Sequence, residues 1–420
     1  MKHRNEMPLT VSERGRQMPA SPIRKLAPLA DAAKKRGVRV LHLNIGQPDL
    51  ETPEVMRRRL ETAPAVLAYT PSGGTPECVA SLREYYRGHG IELDADDIVV
   101  TTGGSEAILF TLLACAGVGD EVLVVEPFYT HYMAFATMAG VRLVPLRSHG
   151  EDGFHLPPRE QWESALTPRT RLVLLCNPNN PTGTVYRREE VEAIAGFCSD
   201  NGLFLMSDEV YRELAYDGAR ATSALEIAGA EDFVVMVDSL SKRYSACGIR
   251  LGCLVTRNRQ VRDACLRMAQ GRLSPPGLAQ IVALGAAELG LEYTENLVKE
   301  YQGRRDVLYE GLSRVPGVFL RKPEGAFYFV ARLPVEDSED FASWLLSDFS
   351  FEGVTVMVAP AAGFYVTPGL GADEVRIAYV LNETDLETSV RILAAALPAY
   401  RAARGLGPLK TPDSAAAGAR

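Results

Sequence analysis

A chain of 420 residues is longer than one hydrophobic core usually supports, so its length predicts a large domain with a smaller companion. Hydrophobic residues make up 46% of the chain and charged residues 23%, which is ordinary for a globular protein and argues against wholesale disorder. The net charge is -8, and charged residues of both signs are spread along the chain without a long basic stripe. Nucleic acid is therefore not expected as a partner.

The seven cysteines are scattered along the chain and form no C-x-x-C pair. This odd number in this arrangement predicts neither a disulfide framework nor a metal site, and it favours a reduced, cytoplasmic location. The first residues lack the apolar core of a signal peptide, and no apolar run reaches membrane-spanning length. We therefore expect a protein without a membrane partner, with an N-terminal arm at residues 1–20 and a flexible tail at 402–420.

Short apolar, β-branched runs alternate with helical patterns through the middle of the chain. Six runs predict buried strands: IVVTT, EVLVV, RLVLLC, LFLMS, FVVMVDS and LGCLVT. Between them, residues 186–200 and 259–270 have apolar positions at helical spacing. This alternation predicts an α/β fold whose mostly parallel sheet is covered by helices on both faces, in a large domain at residues 66–315.

A long helical stretch at 278–315 is followed by shorter strands that are separated by glycine and proline. The runs GAFYFVARL, VTVMVAP and EVRIAYVL read as strands, and a closing helix follows them near residues 383–400. We predict that these elements belong to a smaller α+β domain, which is built from both chain ends at residues 21–65 and 316–401.

Polar side chains follow nearly every run of the predicted sheet. The runs are followed in chain order by GGSE, EPFY, NPNNPTG, SDE and SLSK. Ligands of open α/β sheets bind outside the carboxyl ends of the strands, so these groups are expected at one edge. Taken singly, each has a plainer explanation as a helix cap, a turn or a solvated charge. Together they supply an amine, a carboxylate, an amide, an aromatic ring and hydroxyls, the set that pyridoxal phosphate (PLP) chemistry requires.

Four motifs carry a resemblance to a known family: NPNNPTG at 177–183, SDEVY at 207–211, SLSKRYSACGIRLG at 239–252 and VRIAY at 375–379. Through them the chain resembles the class I/II aminotransferases of the fold-type I PLP enzymes, over about residues 21–400. The resemblance implies that an amino group moves between an amino acid and a 2-oxo acid. It also implies a homodimer with shared active sites.

The resemblance gives roles to residues in and around these motifs. It implies that Lys242 binds PLP as an imine and then moves a proton as acid and base, and that Asp208 pairs with the ring nitrogen. It implies that Asn180 and Tyr211 hydrogen-bond the phenolic oxygen of PLP, with Tyr211 counted among the catalytic residues. The remaining cofactor contacts are a phosphate cradle and a stacked aromatic ring, which the resemblance places at Gly104, Ser105, Ser239, Ser241, Arg250 and Tyr129.

Further residues concern the substrate and the second subunit. Arg376 interrupts an apolar strand, where an unpaired guanidinium is costly to bury, so it requires an anion. An internal salt bridge would satisfy that need, but the resemblance favours the substrate α-carboxylate, bound by Arg376 beside Gly46 and Asn180. Tyr69 corresponds to a tyrosine that reaches the cofactor phosphate of the neighbouring subunit, although burial as a core tyrosine is the alternative.

The sequence leaves the preferred amino acid and the reaction type open. Arg24 or Arg272 would bind a distal carboxylate if it faces the pocket, which favours aspartate with 2-oxoglutarate, whereas an apolar lining favours aromatic or aliphatic substrates. A carbon–sulfur lyase uses the same lysine, aspartate and arginine and is the alternative activity. A ligand-sensing regulator is disfavoured, because residues 1–20 are too few for a DNA-binding domain ahead of the matched region.

Overall fold

The computed structural model describes residues 9–409. Its strands are β1 (Arg39–His42), β2 (Ile98–Thr101), β3 (Glu121–Glu126), β4 (Arg142–Arg147), β5 (Thr170–Cys176), β6 (Phe204–Asp208), β7 (Val234–Ser239), β8 (Gly252–Val255), β9 (Phe319–Leu320), β10 (Tyr328–Arg332), β11 (Val354–Met357), β12 (Ala359–Pro360) and β13 (Glu374–Ala378). Its α-helices are α1 (Glu13–Gln17), α2 (Ala27–Lys35), α3 (Glu54–Arg58), α4 (Pro76–Gly88), α5 (Gly103–Cys115), α6 (His131–Ala139), α7 (Arg159–Ser164), α8 (Arg188–Asn201), α9 (Leu240–Arg243), α10 (Arg259–Gly271), α11 (Gly277–Ala283), α12 (Leu291–Ser313), α13 (Ser338–Ser347) and α14 (Glu383–Ala403).

The largest sheet has seven strands in the order β2-β8-β7-β6-β5-β3-β4, and every pair is parallel except the two that β8 makes. All six runs that the sequence assigns to strands lie in this sheet, which confirms the predicted α/β fold. The edge strand β4 is not predicted by the apolar pattern, because it contains Pro145 and begins and ends with an arginine. An edge position tolerates such a strand, since one of its sides makes no ladder hydrogen bonds.

Apolar side chains pack on both faces of this sheet. On one face, α5 and α10 bury side chains such as Leu112 and Cys265 against the strands. On the other face, α4 and α8 bury side chains such as Leu82 and Phe197. Each fully buried side chain of this size stabilises the fold by about 1.5 to 3 kcal/mol. Helices therefore cover both faces, as the fold class predicts.

A second, smaller unit is built from both ends of the chain. β1 pairs in parallel with β11, and β12, β13, β10 and β9 form a four-stranded antiparallel sheet. Leu43, Trp344 and Leu393 belong to the core beneath these sheets. This arrangement confirms the smaller α+β unit. The boundaries of the two domains stay predictions; residues 54–62 contact residues 277–288 of the larger unit.

The two ends of the described chain are ordered against the rest of the molecule. In the predicted arm, α1 contacts α6, and beyond α14 the side chains of Leu406 and Leu409 pack against the small-unit core. Residues 1–8 of the predicted arm and 410–420 of the predicted tail lie outside the described residues. Within residues 9–409, no helix is both long and apolar enough to cross a membrane.

The helical stretch at 278–315 is interrupted. α11 ends at Ala283, a 3₁₀ turn follows over Leu284–Glu288, and α12 begins after Gly290. A side chain at Gly285 would meet the backbone of Met56 at 2.6 Å, so this turn packs closely against α3. The apolar spacing of the sequence gives no information about this tertiary contact. It therefore predicts one longer helix.

Candidate active site

A cavity of about 340 Å³ lies at the carboxyl ends of β2, β3, β5, β6 and β7. Every predicted site residue except Tyr69 lines it: Gly46, Gly104, Ser105, Tyr129, Asn180, Asp208, Tyr211, Ser239, Ser241, Lys242, Arg250 and Arg376. Tyr69 does not line this cavity and has a side chain that is 81% exposed. The structure thus brings the predicted residues of one chain together at one edge of the sheet, and the role of each stays a prediction.

The N-terminus of α5 forms one wall of the cavity. The helix begins at Gly103, which has a φ of +71°. A Cβ atom at this position would lie 2.6 Å from Nη2 of Arg250, so glycine lets the guanidinium lie against the helix end. Gly104 and Ser105 lie in the first helical turn, whose backbone N–H groups have no partner within the helix, and they line the same cavity as Arg250. A helix N-terminus next to an arginine is suited to a phosphate group.

Two serine hydroxyls complete that wall. Ser239 caps α9, because its Oγ accepts a hydrogen bond of 3.2 Å from the backbone N–H of Ser241. The same Oγ lies 3.0 Å from the carbonyl oxygen of Leu251 and 2.9 Å from Oγ of Ser241. A hydroxyl has one hydrogen to donate, so when Ser239 donates its hydrogen to Oγ of Ser241, the hydrogen of Ser241 remains free for an anion in the cavity.

Asp208 lies at the end of β6, and its carboxylate is buried. The hydroxyl of Tyr132 donates to Oδ2 at 2.6 Å, and the N–H of Val210 donates to Oδ1 at 3.3 Å. Burial raises the pKa of Asp208 to about 6, and these two hydrogen bonds oppose the rise without cancelling it. A cationic N–H partner in the cavity would restore the ionised form.

Tyr132 is a functional candidate that the sequence analysis does not identify. It lies on α6 in the run HYMAFATMA, where a tyrosine reads as an ordinary core residue. Its partner Asp208 is 76 positions later in the chain, so no local spacing links the two residues. The available signal is weak: the phenol is one of few polar groups on a mostly apolar helix, and a buried phenol usually has a partner.

The amine of Lys242 points into the cavity without an acidic partner. Nζ donates a hydrogen bond of 2.7 Å to the carbonyl oxygen of Gly46 and lies 5.7 Å from the centre of the Phe327 ring. No carboxylate lies within 4.0 Å of this amine in the described part of the chain. A lysine held by a neutral acceptor inside a cavity is available for covalent chemistry.

Arg376 is buried in β13 and lacks a carboxylate partner among residues 9–409. Nη1 donates to Oδ1 of Asn180 at 3.2 Å, and Nη2 donates to the carbonyl oxygen of Asn44 at 2.5 Å. Nε has no hydrogen-bond partner among the described residues, and burial lowers the pKa of this guanidinium. The internal salt bridge that would explain Arg376 structurally is therefore not found, and the group remains able to bind an anion.

Gly46 lies where the backbone approaches an aromatic pair. A Cβ atom at this position would lie 1.6 Å from Oη of Tyr328, so no other residue fits without displacing that ring. The Tyr328 hydroxyl lies 3.0 Å from the hydroxyl of Tyr211, and the Arg376 guanidinium lies 4.4 Å from the centre of the Tyr328 ring. Tyr328 thus connects two predicted site residues, and nothing in its local sequence singles it out.

The two candidate cations for a distal carboxylate have different surroundings. Arg272 forms an ion pair of 3.0 Å with Glu106, donates to the carbonyl oxygen of Val100 at 2.7 Å and does not line the cavity. Arg24 lines the cavity mouth together with His131 and has no ion-pair partner in the described chain. Burial lowers the pKa of His131, and the nearby charge of Arg24 lowers it further, which favours the neutral imidazole. Arg24 is therefore the cation that an incoming ligand meets.

These groups together fit PLP. The anion cradle suits a phosphate, the buried carboxylate of Asp208 suits a protonated ring nitrogen, and the amine of Lys242 lies in the same cavity for an aldehyde. Arg376, with its unpaired Nε, remains for a second anion. Residues 9–409 contain no cluster of three histidine, cysteine or acidic side chains that could hold a metal ion.

A family model described as aminotransferase class I and II matches residues 38–393 of the chain. Among curated relatives, the aspartate aminotransferase of Rhizobium meliloti is 28% identical over 90% of this chain and 93% of its own length. The aspartate/prephenate aminotransferase of Thermus thermophilus is 30% identical over 87% of this chain and 92% of its own length.

Solved structures give the same picture. A mutant of the Thermus thermophilus aspartate aminotransferase superimposes with a TM-score of 0.85 at 30% identity, over 93% of this chain and all of that one. The alanine aminotransferase of Pyrococcus furiosus also reaches a TM-score of 0.85, at 28% identity over 92% of this chain and 99% of that one. The likeness therefore extends over both structural units and is not confined to the sheet.

Proposed function

The chain belongs to the class I and II aminotransferases and is a PLP-dependent enzyme, and from this premise we propose how its residues divide the reaction. When bound, PLP supplies an aldehyde that takes up the substrate amine and a ring that withdraws electrons from the substrate α-carbon. The observation that carries the assignment is a cavity in which a lysine, an arginine and an aspartate meet without pairing with one another.

Lys242 is proposed as the residue that binds the cofactor and moves the proton. Among the described residues, its Nζ hydrogen-bonds to the neutral carbonyl oxygen of Gly46 and to no carboxylate, so loss of its proton breaks no ion pair there. When the substrate amine replaces it, the freed Nζ would take the proton from the substrate α-carbon and deliver it to the carbon of the cofactor that carried the aldehyde. Its position in the short helix α9 places its side chain at the cavity.

Asp208 is proposed to bind the protonated ring nitrogen. An ionised carboxylate at this buried position is costly when it is alone, as the raised pKa of Asp208 expresses. A cationic partner removes that cost, so cofactor binding and ionisation of Asp208 stabilise each other. Tyr132 orients the carboxylate through its 2.6 Å hydrogen bond. Asn180 and Tyr211 are proposed to hydrogen-bond the phenolic oxygen.

The phosphate and ring are assigned to the remaining cavity wall. The N-terminus of α5, the hydroxyls of Ser239 and Ser241 and the guanidinium of Arg250 are proposed to bind the phosphate. Tyr129, which is half-buried at the cavity surface after β3, is proposed to stack on the ring. Together these contacts fix the cofactor orientation before any substrate arrives, so little ordering is left for the reaction itself.

Arg376 is proposed to bind the substrate α-carboxylate. Its Nε has no partner within residues 9–409, and its two other nitrogens are held by Asn180 and Asn44, so the guanidinium is already oriented. Gly46, which lines the same cavity, is proposed to lie beside that carboxylate. Because every amino acid has this group, Arg376 determines that an amino acid binds, not which one.

Aspartate with 2-oxoglutarate is the proposed substrate pair. Support comes from Arg24, the cavity cation that remains when Lys242, Arg250 and Arg376 are assigned, and from the aspartate-acting relatives. A distal carboxylate would find this guanidinium at the cavity mouth. Ile23 and Ile45 line the same region, so an apolar side chain would also be accommodated there.

A homodimer and a cytoplasmic location are part of the proposal. The segment with Val66, Leu67 and Tyr69 exposes apolar surface and is linked to the exposed Leu273 by a hydrogen bond from Ser72. A second copy would bury this surface and could present Tyr69 to the cavity of its neighbour. Seven unpaired cysteines, six of them buried, suit a reducing compartment.

Product analysis tests the proposed reaction. The purified protein with PLP is incubated with aspartate in the presence and absence of 2-oxoglutarate, and glutamate, pyruvate and ammonia are measured. We expect glutamate to form only with the oxo acid, and ammonia to stay at the level of the no-enzyme control. Release of pyruvate and ammonia from cysteine or cystathionine without an acceptor would instead identify a carbon–sulfur lyase.

A further inference from the structure

The short helix that carries Lys242 is attached to a buried ion pair. α9 has only four residues, and a single turn of helix is unstable by itself because nucleation is unfavourable. The residue before Ser239 is Asp238, and the residue after Lys242 is Arg243. Their side chains meet: Nη1 of Arg243 lies 2.9 Å from each carboxylate oxygen of Asp238.

This Asp238–Arg243 pair is completely enclosed. The Asp238 side chain is 0% exposed and the Arg243 side chain 4%. Oδ1 of Asp238 also accepts the backbone N–H of Ser239 at 2.6 Å, and Oδ2 accepts the hydroxyl of Tyr86 at 2.7 Å. The Arg243 guanidinium lies 4.1 Å from the centre of the Tyr85 ring. Both oxygens of the carboxylate are thus hydrogen-bonded, and an aromatic ring packs against the guanidinium.

The pair lies behind the cavity and not in it. Successive side chains of a strand point to opposite faces, so when Ser239 lines the cavity its neighbour Asp238 points the other way. Neither Asp238 nor Arg243 lines the cavity. The hydrogen bond from Ser239 N–H fixes the start of the turn, and the Arg243 side chain fixes its end. The backbone carrying Ser241 and Lys242 is therefore held from both sides.

A buried ion pair contributes little net stability, because the cost of removing both charges from water offsets their attraction. Such a pair instead restricts the backbone between its two residues to one conformation. We propose that Asp238 and Arg243 are positioning residues of the cofactor site, which hold the turn from Ser239 to Lys242 so that the serine hydroxyls and the lysine amine face the cofactor. The inference rests on the proposed role of Lys242, and it extends the site to residues that do not touch PLP.

The test is PLP affinity of the apoprotein, measured by fluorescence titration, together with the thermal midpoint. The informative variant is Asp238→Asn/Arg243→Met, which removes both charges and leaves none unpaired. We expect its thermal midpoint to stay near the wild-type value while PLP binds about ten-fold more weakly, because the turn is no longer fixed. Arg243→Met alone should lower both the thermal midpoint and the affinity for PLP, since it leaves the buried carboxylate of Asp238 without its arginine.

Glu121→Gln is the matched control, because Glu121 is a buried, paired carboxylate at the far end of the sheet. It should lower the thermal midpoint and leave PLP affinity within about two-fold. Wild-type PLP affinity in the folded double variant would overturn the inference. If the double variant does not fold, Tyr86→Phe decides: about three-fold weaker PLP binding is expected, and unchanged binding contradicts the proposal. Failure of the wild-type protein to bind PLP would instead contradict the proposed function itself.

Discussion

Two buried carboxylates at opposite ends of the large sheet differ in what surrounds them. Glu121 begins β3 and is bonded to Arg142, Arg169 and the Thr167 hydroxyl, and the Thr167 hydrogen bond and the two arginines lower its pKa to about 2. Asp208 ends β6 with no basic partner in the described chain, and burial raises its pKa to about 6. Charges that stabilise the fold are paired within the chain. At the cavity, charge is left unpaired for a ligand.

Two buried arginines differ in the same way, one with acidic partners and one without them among the described residues. Arg305 is buried and forms ion pairs with Asp217 at 2.8 Å and Asp306 at 2.9 Å. Arg376 is equally buried but has an amide and a carbonyl oxygen as partners, and its Nε has none in the part of the chain that the structure describes. Unpaired burial lowers the pKa of Arg376, whereas the pKa of Arg305 is raised by its acidic partners despite the opposing effect of burial. The presence or absence of an acidic partner therefore distinguishes the structural Arg305 from Arg376, the proposed binding group.

Replacing Asp208 should have the largest effect on turnover. In Asp208→Asn the ring nitrogen loses its anionic partner, so we expect kcat to fall about 1,000-fold while PLP still binds at high concentration. Steady-state kinetics at saturating PLP measures this. Wild-type turnover would mean that the raised pKa of Asp208 has no relation to the reaction.

The same variant should gain stability without cofactor. The folded pKa of Asp208 exceeds its unfolded value, so the native apoprotein binds the extra proton and the ionised group costs stability above about pH 6. That cost should decrease by about 1 kcal/mol between pH 8 and pH 5 in the wild type and be absent from Asp208→Asn. Urea unfolding of the two apoproteins at both pH values measures the difference. Parallel pH profiles would contradict it.

Arg376→Gln should have the next largest effect. Loss of the guanidinium removes the anion site common to all substrates, so kcat/KM should fall about 100-fold for every amino acid tested. Arg391→Gln, on the exposed face of α14, is the control and should retain wild-type kinetics. A loss restricted to one amino acid would show that Arg376 binds a side chain.

Arg24→Met should affect only acidic substrates. Because Arg24 lies at the exposed mouth of the cavity, we expect KM for aspartate to rise about ten-fold and KM for alanine to change less than two-fold. Initial rates with both amino acids distinguish these outcomes. An equal effect on both would argue that Arg24 supports the cavity wall and does not recognise a distal carboxylate.

Glu121→Gln should have the smallest effect on activity. It removes a charge that is paired far from the cavity, so kcat/KM should stay within about two-fold while the free energy of unfolding falls by about 1 to 2 kcal/mol at pH 7. The lowered pKa means that this stabilisation is present above pH 4.5 and is lost as the pH falls toward 2. Unfolding curves at pH 7 and pH 3 measure it. A large loss of activity would contradict the assignment of Glu121 to fold stability and of Asp208 to the reaction.

The predictable part of the molecule is the part with local signals. Continuous apolar runs identify the buried strands, and the rule that parallel strands end at one edge places Asp208, Asn180 and Lys242 in one cavity. The partners Tyr132 and Asn44 are not predicted, because their contacts join distant segments and each residue looks ordinary in its own segment. The ion pair between Arg272 and Glu106 likewise joins distant segments of the chain. It argues against Arg272 as the cation for a distal carboxylate.

The most direct test of the account is the position of the covalent bond between protein and cofactor. The PLP-loaded protein is reduced with borohydride, digested and analysed by mass spectrometry. The account predicts a pyridoxyl group on Lys242 alone, and none when Lys242→Ala is treated in the same way. A modified peptide from another lysine, or an unmodified Lys242 in a protein that retains activity, would contradict it.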